Sequence, residues 1–388
     1  MTSFDPIDLT RELIRRPSVT PADAGAMDIV QARLAALGFV CTRLKFGQIE
    51  NLYARRGNTA PNLCFAGHTD VVPVGQAGDW SVDPFEADLK DGILTGRGAV
   101  DMKSGIAAFI AAVARTLAKG EPAGSLSLLI TGDEEGVATH GTKLVVEHLR
   151  TQGEQIDHCV VGEPSSSAVF GDMIKIGRRG SLNAVITVEG RQGHVAYPHR
   201  AANPVPVLVR LLAKLSDHVL DDGFESFQAS NLEVVTVDVG NVATNVIPAK
   251  AKAGLNIRFN PGHKGADLAA WLTSECTRAS GGFEGRVSIE TTISGEAFLT
   301  PQGDFTALAA AAVAHVAGVT PELSTTGGTS DARFIRALCP VVEFGLVGTT
   351  MHAVDERAPV SEIEDLARVY ERLIETYFTK FGVAGRSA

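Results

Sequence analysis

Apolar positions along the chain follow two regimes. Up to about residue 180, and again after about 294, they form short continuous runs at 63–66, 126–130, 159–161 and 341–344, each bounded by Gly, Asp or Pro. Continuous rather than alternating hydrophobicity predicts strands covered on both faces, as in a largely parallel sheet flanked by helices. Helical spacing separates these runs at about 103–119, 141–150 and 329–338. Pro6, with the pairs Leu9/Leu13 and Ile7/Ile14, predicts a first helix over 6–16 that stops before Pro17. A second helix is expected over 22–37, where Gly38 suits the left-handed position after a helix end. A helix over about 361–378 closes the chain, and the tail from 382 to 388 is expected to fray.

Between these regions the pattern alternates. Strand-like stretches at 182–189, 232–239, 251–259 and 287–292 are interleaved with helical ones at about 204–218 and 265–279. The order β-α-β-β-α-β is the split βαβ arrangement of a small ferredoxin-like α+β domain. The expected architecture is therefore α/β. A catalytic domain made of 1–179 and 295–388 has a mixed, largely parallel sheet, and 180–294 is inserted into it.

Composition narrows the function. With 35 Lys+Arg against 45 Asp+Glu the formal charge is −10, which argues against nucleic acid or an anionic membrane as partner. An anionic substrate would then need locally placed arginines. Cys41, Cys64, Cys159, Cys276 and Cys339 are scattered and never form a CxxC, so neither a disulfide framework nor a thiolate zinc site is indicated. Reduced thiols in a cytoplasm are the default. The first residues lack the basic and apolar stretches of a secretory signal, and the most apolar segments, 106–114 and 307–314, fall short of the roughly 18–20 residues that span a bilayer.

Candidate chemistry gathers at predicted strand ends. Gly67-His68-Thr69-Asp70 ends one strand, and on an extended backbone residues two apart face the same side. Asp70 could then fix the tautomer of His68 while the other ring nitrogen binds metal. By itself the pair reads more readily as a surface or core-satisfied pair than as a metal ligand. Asp101, in the turn Gly96-Arg97-Gly98-Ala99-Val100-Asp101, could simply cap the helix that follows. Asp133-Glu134-Glu135 ends a further apolar run and alone could be a solvated loop; Gly162-Glu163 ends another run, and His352 follows the run at 341–344. Ligands of open α/β sheets collect at the carboxyl ends of strands. Together His68, Asp101, Glu134, Glu135, Glu163 and His352 offer imidazole and carboxylate without thiolate, which suits catalytic zinc, cobalt or manganese. That many ligands exceeds what one open metal needs and fits two, with one carboxylate shared and one of the adjacent pair Glu134 and Glu135 free to move protons.

The motifs GHTDVVP (67–73), GRGAVDMKSG (96–105), TGDEEG (131–136), GEPSS (162–166) and MHAVDE (351–356) resemble, in order and spacing, those of the dinuclear zinc deacylases and exopeptidases. That family includes acetylornithine deacetylase, glutamate carboxypeptidase and aminoacylase. Trp80, Pro84-Phe85, the 176–181 segment with Arg178 and Arg179, Gln192-Gly193-His194 and Gly327-Gly328-Thr329-Ser330-Asp331 further resemble its desuccinylase branch. The resemblance implies hydrolysis of N-succinyl-LL-2,6-diaminopimelate to succinate and the diamino acid, on a route to lysine. A related N-acyl amino acid deacylase or dipeptidase is the alternative, and a non-catalytic zinc scaffold a third reading that the presence of Glu134 disfavours.

By the same resemblance, His68 and Glu163 would hold one Zn2+, Glu135 and His352 the other, and Asp101 would bridge them, with Co2+ able to substitute. Glu134 would be general base and then acid, and Asp70 would orient His68. The insert would build a homodimer, and His194 would reach the partner subunit's site. A planar guanidinium clamps a carboxylate through two hydrogen bonds, and the implied substrate has three carboxylates. Arg178 and Arg258 are favoured over Arg179 as contacts, although each could be a surface ion pair. Tyr197, Asn245, Thr326 and Gly327 resemble substrate-contacting or hinge positions. Val100 and Arg357 depart from the family pattern, at positions that carry no proposed ligand.

Overall fold

The structure is a computed structural model that describes residues 4–382; the expected fraying beyond Gly382 lies outside the described residues. The chain divides into two compact units. One takes in everything up to Ile176, Thr300–Ser324 and Ser330 onward, and the other takes in Gly177–Leu299 and Thr325–Thr329.

The first unit is built on an eight-stranded sheet in the order Val40–Phe46, Ile49–Arg56, Ser125–Thr131, Asn62–His68, His158–Val161, Val341–Glu343, Met173–Lys175, Glu322–Ser324. Its middle is parallel, since Asn62–His68 pairs in parallel with Ser125–Thr131 and with His158–Val161, which pairs in parallel with Val341–Glu343. Every residue of Asn62–His68 and of Ser125–Thr131 is buried, as continuous apolar runs require. The Ala-rich helix Lys103–Lys119 packs on the sheet and against Val360–Phe381. At that junction the Phe65 and Phe109 rings stack at 4.4 Å, and Tyr370 meets both edge-on at 5.6 Å. The Tyr370 hydroxyl donates to the Phe344 carbonyl at 2.6 Å, so the ring is buried without an orphaned polar group. Each such aromatic contributes roughly 2–3 kcal/mol of burial free energy, and together they lock the helix layer beneath the strand carrying His68.

The first helix ends at Ile14 and the last runs over Val360–Phe381, and two other expected helices differ more in extent. The second begins at Ala26 rather than 22, because the Asp23 carboxylate accepts from the N–H groups of Gly25 and Met27, each at 3.0 Å, and makes a turn of the preceding residues. The stretch expected over 329–338 contributes only the short helix Ala332–Ile335.

The second unit carries a four-stranded antiparallel sheet in the order Asn231–Asp238, Lys250–Phe259, Gly180–Glu189, Arg286–Gly295. In chain order these strands sit 2-3-1-4, the ferredoxin-like arrangement. Alternation does the work here. Leu182, Ala184, Ile186 and Val188 are buried with Leu208, Leu211 and Leu215 of Pro204–Ser216 and Leu268 and Leu272 of Gly265–Ala279, while Asn183 and Val185 stay exposed. The seams fall at Gly177 and Leu299 rather than 180 and 294. Gly177–Arg178 pairs antiparallel with Phe298–Leu299, and this clasp draws the boundary outward on both sides. Thr325–Thr329 also returns to this unit, where the Thr325 hydroxyl donates to the Ser226 carbonyl.

Candidate active site

Three adjacent parallel strands end at the same edge of the first unit and deliver His68, the Asp133-Glu134-Glu135 turn and Glu163. Gly105, in the first turn of Lys103–Lys119, lets that helix close on the strand ends. A Cβ there would stand 2.7 Å from the Gly162 carbonyl, and one on Gly162 would stand 2.5 Å from the Phe65 ring. The small residues of the motifs thus set the depth of the floor beneath the acids.

The structure brings together all six candidate ligands. His68 Nε2 lies 3.1 Å from Asp101 Oδ1 and 3.5 Å from Glu163 Oε1. His352 Nε2 lies 2.8 Å from Glu135 Oε1 and 3.3 Å from Asp101 Oδ2. One oxygen of Asp101 therefore faces each histidine. His68, Asp101 and Glu135 each bring a donor atom within 4.8 Å of one another, and so do His68, Glu134 and Glu163. Among the described residues Oε1 of Glu163 has no hydrogen-bond partner although it is buried, a costly state for a carboxylate oxygen unless a cation meets it.

Electrostatics point the same way. Burial, reinforced by Asp101, pushes Glu163 up to about 7. Burial and then the nearby Glu163 charge hold Glu134 well above the usual carboxylate range. Burial alone would lower His68, but the carboxylates of Asp101 and Glu163 overcome it and hold the imidazole well above its usual value. Hydrogen bonds to Asp101 and Glu135 raise His352 to about 10. The cluster concentrates negative charge where water is scarce, so it recruits protons; divalent ions are the other cations that answer the same need.

Asp70 is placed differently from expectation. The Nδ1–H of His68 donates to the backbone carbonyl of Asp70 at 2.9 Å, while the Asp70 carboxylate oxygen is 3.7 Å from that nitrogen. The carboxylate instead accepts from the backbone N–H of Glu134 at 3.3 Å and of Glu135 at 3.1 Å. Asp70 thus orients His68 through its main chain and fixes the Glu134-Glu135 turn through its side chain. Burial raises the Asp70 carboxyl to about 6.

The remaining candidates lie in the second unit, in two groups. His194 sits on Gly193–His194, which pairs with Val246–Ile247; the Asn245 carbonyl accepts from Val195 N–H at 3.1 Å, and the Tyr197 ring lies 5.6 Å from the His194 ring. His194 and Tyr197 are exposed. In the other group, buried Arg178 donates from Nη1 to the Thr326 carbonyl at 3.3 Å, and Gly327, at φ +104°, leaves space that a Cβ would take 2.4 Å from that nitrogen. Arg258 and Ser181 are register partners on neighbouring strands of the same sheet. Arg179 donates to Asn231 Oδ1 at 2.9 Å, which engages its guanidinium within the unit.

Three acids have no role assigned from sequence although the motifs contain them. Asp133 Oδ2 accepts from Thr139 and His140 N–H, each at 2.9 Å, and shapes the loop after Glu135. Asp331 is buried, and among the described residues neither of its oxygens has a hydrogen-bond partner, with Arg333 Nη2 3.9 Å from Oδ1. Glu356 is buried beneath the Asp101 turn. Their place within a quoted motif was the available signal, but the partners of Glu356 lie 255 or more residues upstream.

Residues 64–376 match the family model described as Peptidase family M20/M25/M40. The chain is 68% identical over 379 residues to the succinyl-diaminopimelate desuccinylase of Caulobacter vibrioides strain NA1000 / CB15N, covering 98% of this chain and 97% of that protein. It is also 68% identical over 376 residues to the enzyme of that name from Phenylobacterium zucineum strain HLK1, covering 97% of this chain and 99% of that protein. Among solved structures, an M20 family metallo-carboxypeptidase from Sulfolobus solfataricus superposes with a TM-score of 0.80 at 17% identity, over 97% of this chain and 99% of that one. A dinuclear metal binding peptidase from the M20 family of Bacillus subtilis gives 0.74 at 15% identity, over 97% and 98%. The strand-end cluster of histidines and carboxylates, the fold and these matches agree, and the chain belongs to peptidase family M20/M25/M40.

Proposed function

We propose that the protein is a metal-dependent amide hydrolase that cleaves N-succinyl-LL-2,6-diaminopimelate to succinate and LL-2,6-diaminopimelate, serving lysine and diaminopimelate biosynthesis. The carrying observation for the chemistry is Asp101, whose two oxygens face His68 and His352 separately. The near full-length relatives named succinyl-diaminopimelate desuccinylase support the substrate.

In this reading His68 and Glu163 would hold one Zn2+, Glu135 and His352 would hold the other, and Asp101 would serve both, with Co2+ as a substitute. Such a pair of ions, when bound, activates water and polarises the amide carbonyl. The chain supplies the rest. Glu134 takes a proton from the attacking water on its carboxylate and returns it to the leaving amine nitrogen; its raised affinity for protons suits the second half of that duty. Asp70 keeps Nε2 of His68 free for metal by engaging Nδ1 through its carbonyl. Arg178 and Arg258 are assigned to substrate carboxylates, with Thr326 and Gly327 beside Arg178, and Tyr197 and Asn245, in the group around His194, assigned as further substrate contacts. Attraction by these arginines must act against a net charge of −10.

The insert is assigned to a homodimer, in which His194 serves the partner subunit's site and stabilises the oxyanion. Exposure of His194, and of Val235 and Val237 on the edge strand Asn231–Asp238, supports that assignment. Among the described residues no helix is long and apolar enough to cross a membrane, and a biosynthetic role fits the cytoplasm.

Succinate release from the succinylated substrate, compared with cleavage of N-acetylornithine, tests the assignment. A site built to pair a terminal carboxylate leaves its arginines unsatisfied by an acetyl group, so kcat/KM is expected to favour the succinyl substrate by about 10²-fold or more. Preference for the acetyl substrate would move the protein to the related deacylases.

A further inference from the structure

Glu356 is fully buried, and nothing in the chemistry above uses it. Its Oε1 accepts from the backbone N–H of Val100 at 2.8 Å and of Asp101 at 3.0 Å. Its Oε2 accepts from Gly98 N–H at 3.0 Å and from Arg97 Nη1 at 2.7 Å. Four donors thus converge on one carboxylate, and three of them are main-chain groups of the turn that ends in Asp101. Charge-assisted bonds of this kind are short and directional, so the turn has little freedom.

Arg97 extends the hold to a second loop. Nη1 also donates to the Ala353 carbonyl at 3.2 Å, and Nη2 donates to the carbonyls of Pro73 at 3.3 Å and His352 at 3.4 Å. The Trp80 ring covers the guanidinium at 5.2 Å. His352 itself sits at φ +60°, a left-handed conformation that a non-glycine residue keeps only when its surroundings impose it. The Arg97–Glu356 pair therefore joins the backbones of two candidate ligands that lie far apart in sequence. The other side of the site is anchored independently. His68 lies on a fully buried strand with its ring tied to Asp70, and Glu163 follows the neighbouring strand.

We infer that Glu356, together with Arg97, is a positioning residue that sets where Asp101 and His352 stand relative to each other, and so governs how tightly the ion assigned to Glu135 and His352 is held. This rests on the dinuclear reading proposed above. Supporting groups behind metal ligands are typically worth 10–100-fold in affinity. Their loss should fall unequally on the two ions, because the His68–Glu163 side has its own anchors.

The test is titration of the metal-stripped full-length chain with Co2+, following heat and the visible spectrum of bound cobalt. Glu356→Gln keeps the size of the side chain but turns an NH2 group against donors that need an acceptor. The first cobalt is expected to bind within about threefold of wild type, and the second about 10–100-fold more weakly with an altered visible band. A purely structural role would lower the melting temperature while leaving both affinities and the spectrum unchanged, and that result overturns the inference. If Glu356→Gln does not fold, Arg97→Lys decides by the same outcomes, since it keeps a cation beside Glu356 but cannot span the Pro73 and His352 carbonyls. A wild-type chain that takes up fewer than two cobalt ions is a separate failure, because it removes the dinuclear reading before any variant is compared.

Discussion

Glu134→Ala is expected to keep two divalent ions bound while turnover falls by about 10³-fold, equivalent to about 4 kcal/mol of transition-state stabilisation. The argument starts from the adjacent pair. Glu135 is committed, with Oε1 2.8 Å from His352 Nε2. Among the described residues Glu134 has no such side-chain partner, yet burial and the Glu163 charge favour its protonated form, as a group that must carry a proton in mid-reaction requires. The competing possibility is concrete, because Glu134 also has a carboxylate oxygen within 4.8 Å of donor atoms of His68 and Glu163. Metal content per chain separates the two roles. Loss of an ion on Glu134→Ala would make Glu134 a ligand rather than the base.

Asp101→Ala should have the opposite signature, costing metal first and turnover as a consequence. Removing this side chain takes an oxygen from the His68 side and from the His352 side at once. The same change leaves two carboxylates and two histidines without the group that holds them in register. Fewer than two ions should remain after dialysis, and turnover should fall by about 10³-fold or more, since several kcal/mol of charge stabilisation depend on the ions. The fold should persist, because the bonds that fix the turn run from Glu356 to main-chain N–H groups rather than to the Asp101 side chain. Elemental analysis beside a melting curve checks both halves. Two tightly retained ions would mean that Asp101 bridges nothing.

Much of this was legible in the sequence because it is local. Continuous apolar runs ending in His68, Glu134-Glu135 and Glu163 can be read without coordinates, and parallel pairing of neighbouring strands then brings their ends together. The inserted sheet was legible for a similar reason, since an alternating pattern at 182–189 and 251–259 dictates one buried face. What escaped was decided by atoms rather than residue types. Spacing puts Asp70 beside His68 but cannot say that the carbonyl takes the ring while the carboxylate turns to the next strand's loop. Nor could it reveal Glu356, whose partners lie 255 or more residues upstream, or the return of Thr325–Thr329 to the second unit. The late start of the second helix was in principle readable, because Asp23 is a strong turn former two residues before Gly25.

The most direct test of the central claim is zinc titration of the metal-stripped wild-type chain, measuring bound zinc per chain and succinate released from N-succinyl-LL-2,6-diaminopimelate in the same samples. The account predicts no release without zinc, release that rises with zinc, and uptake of two ions per chain. Succinate release by the stripped chain, or uptake that ends below two ions, would contradict it.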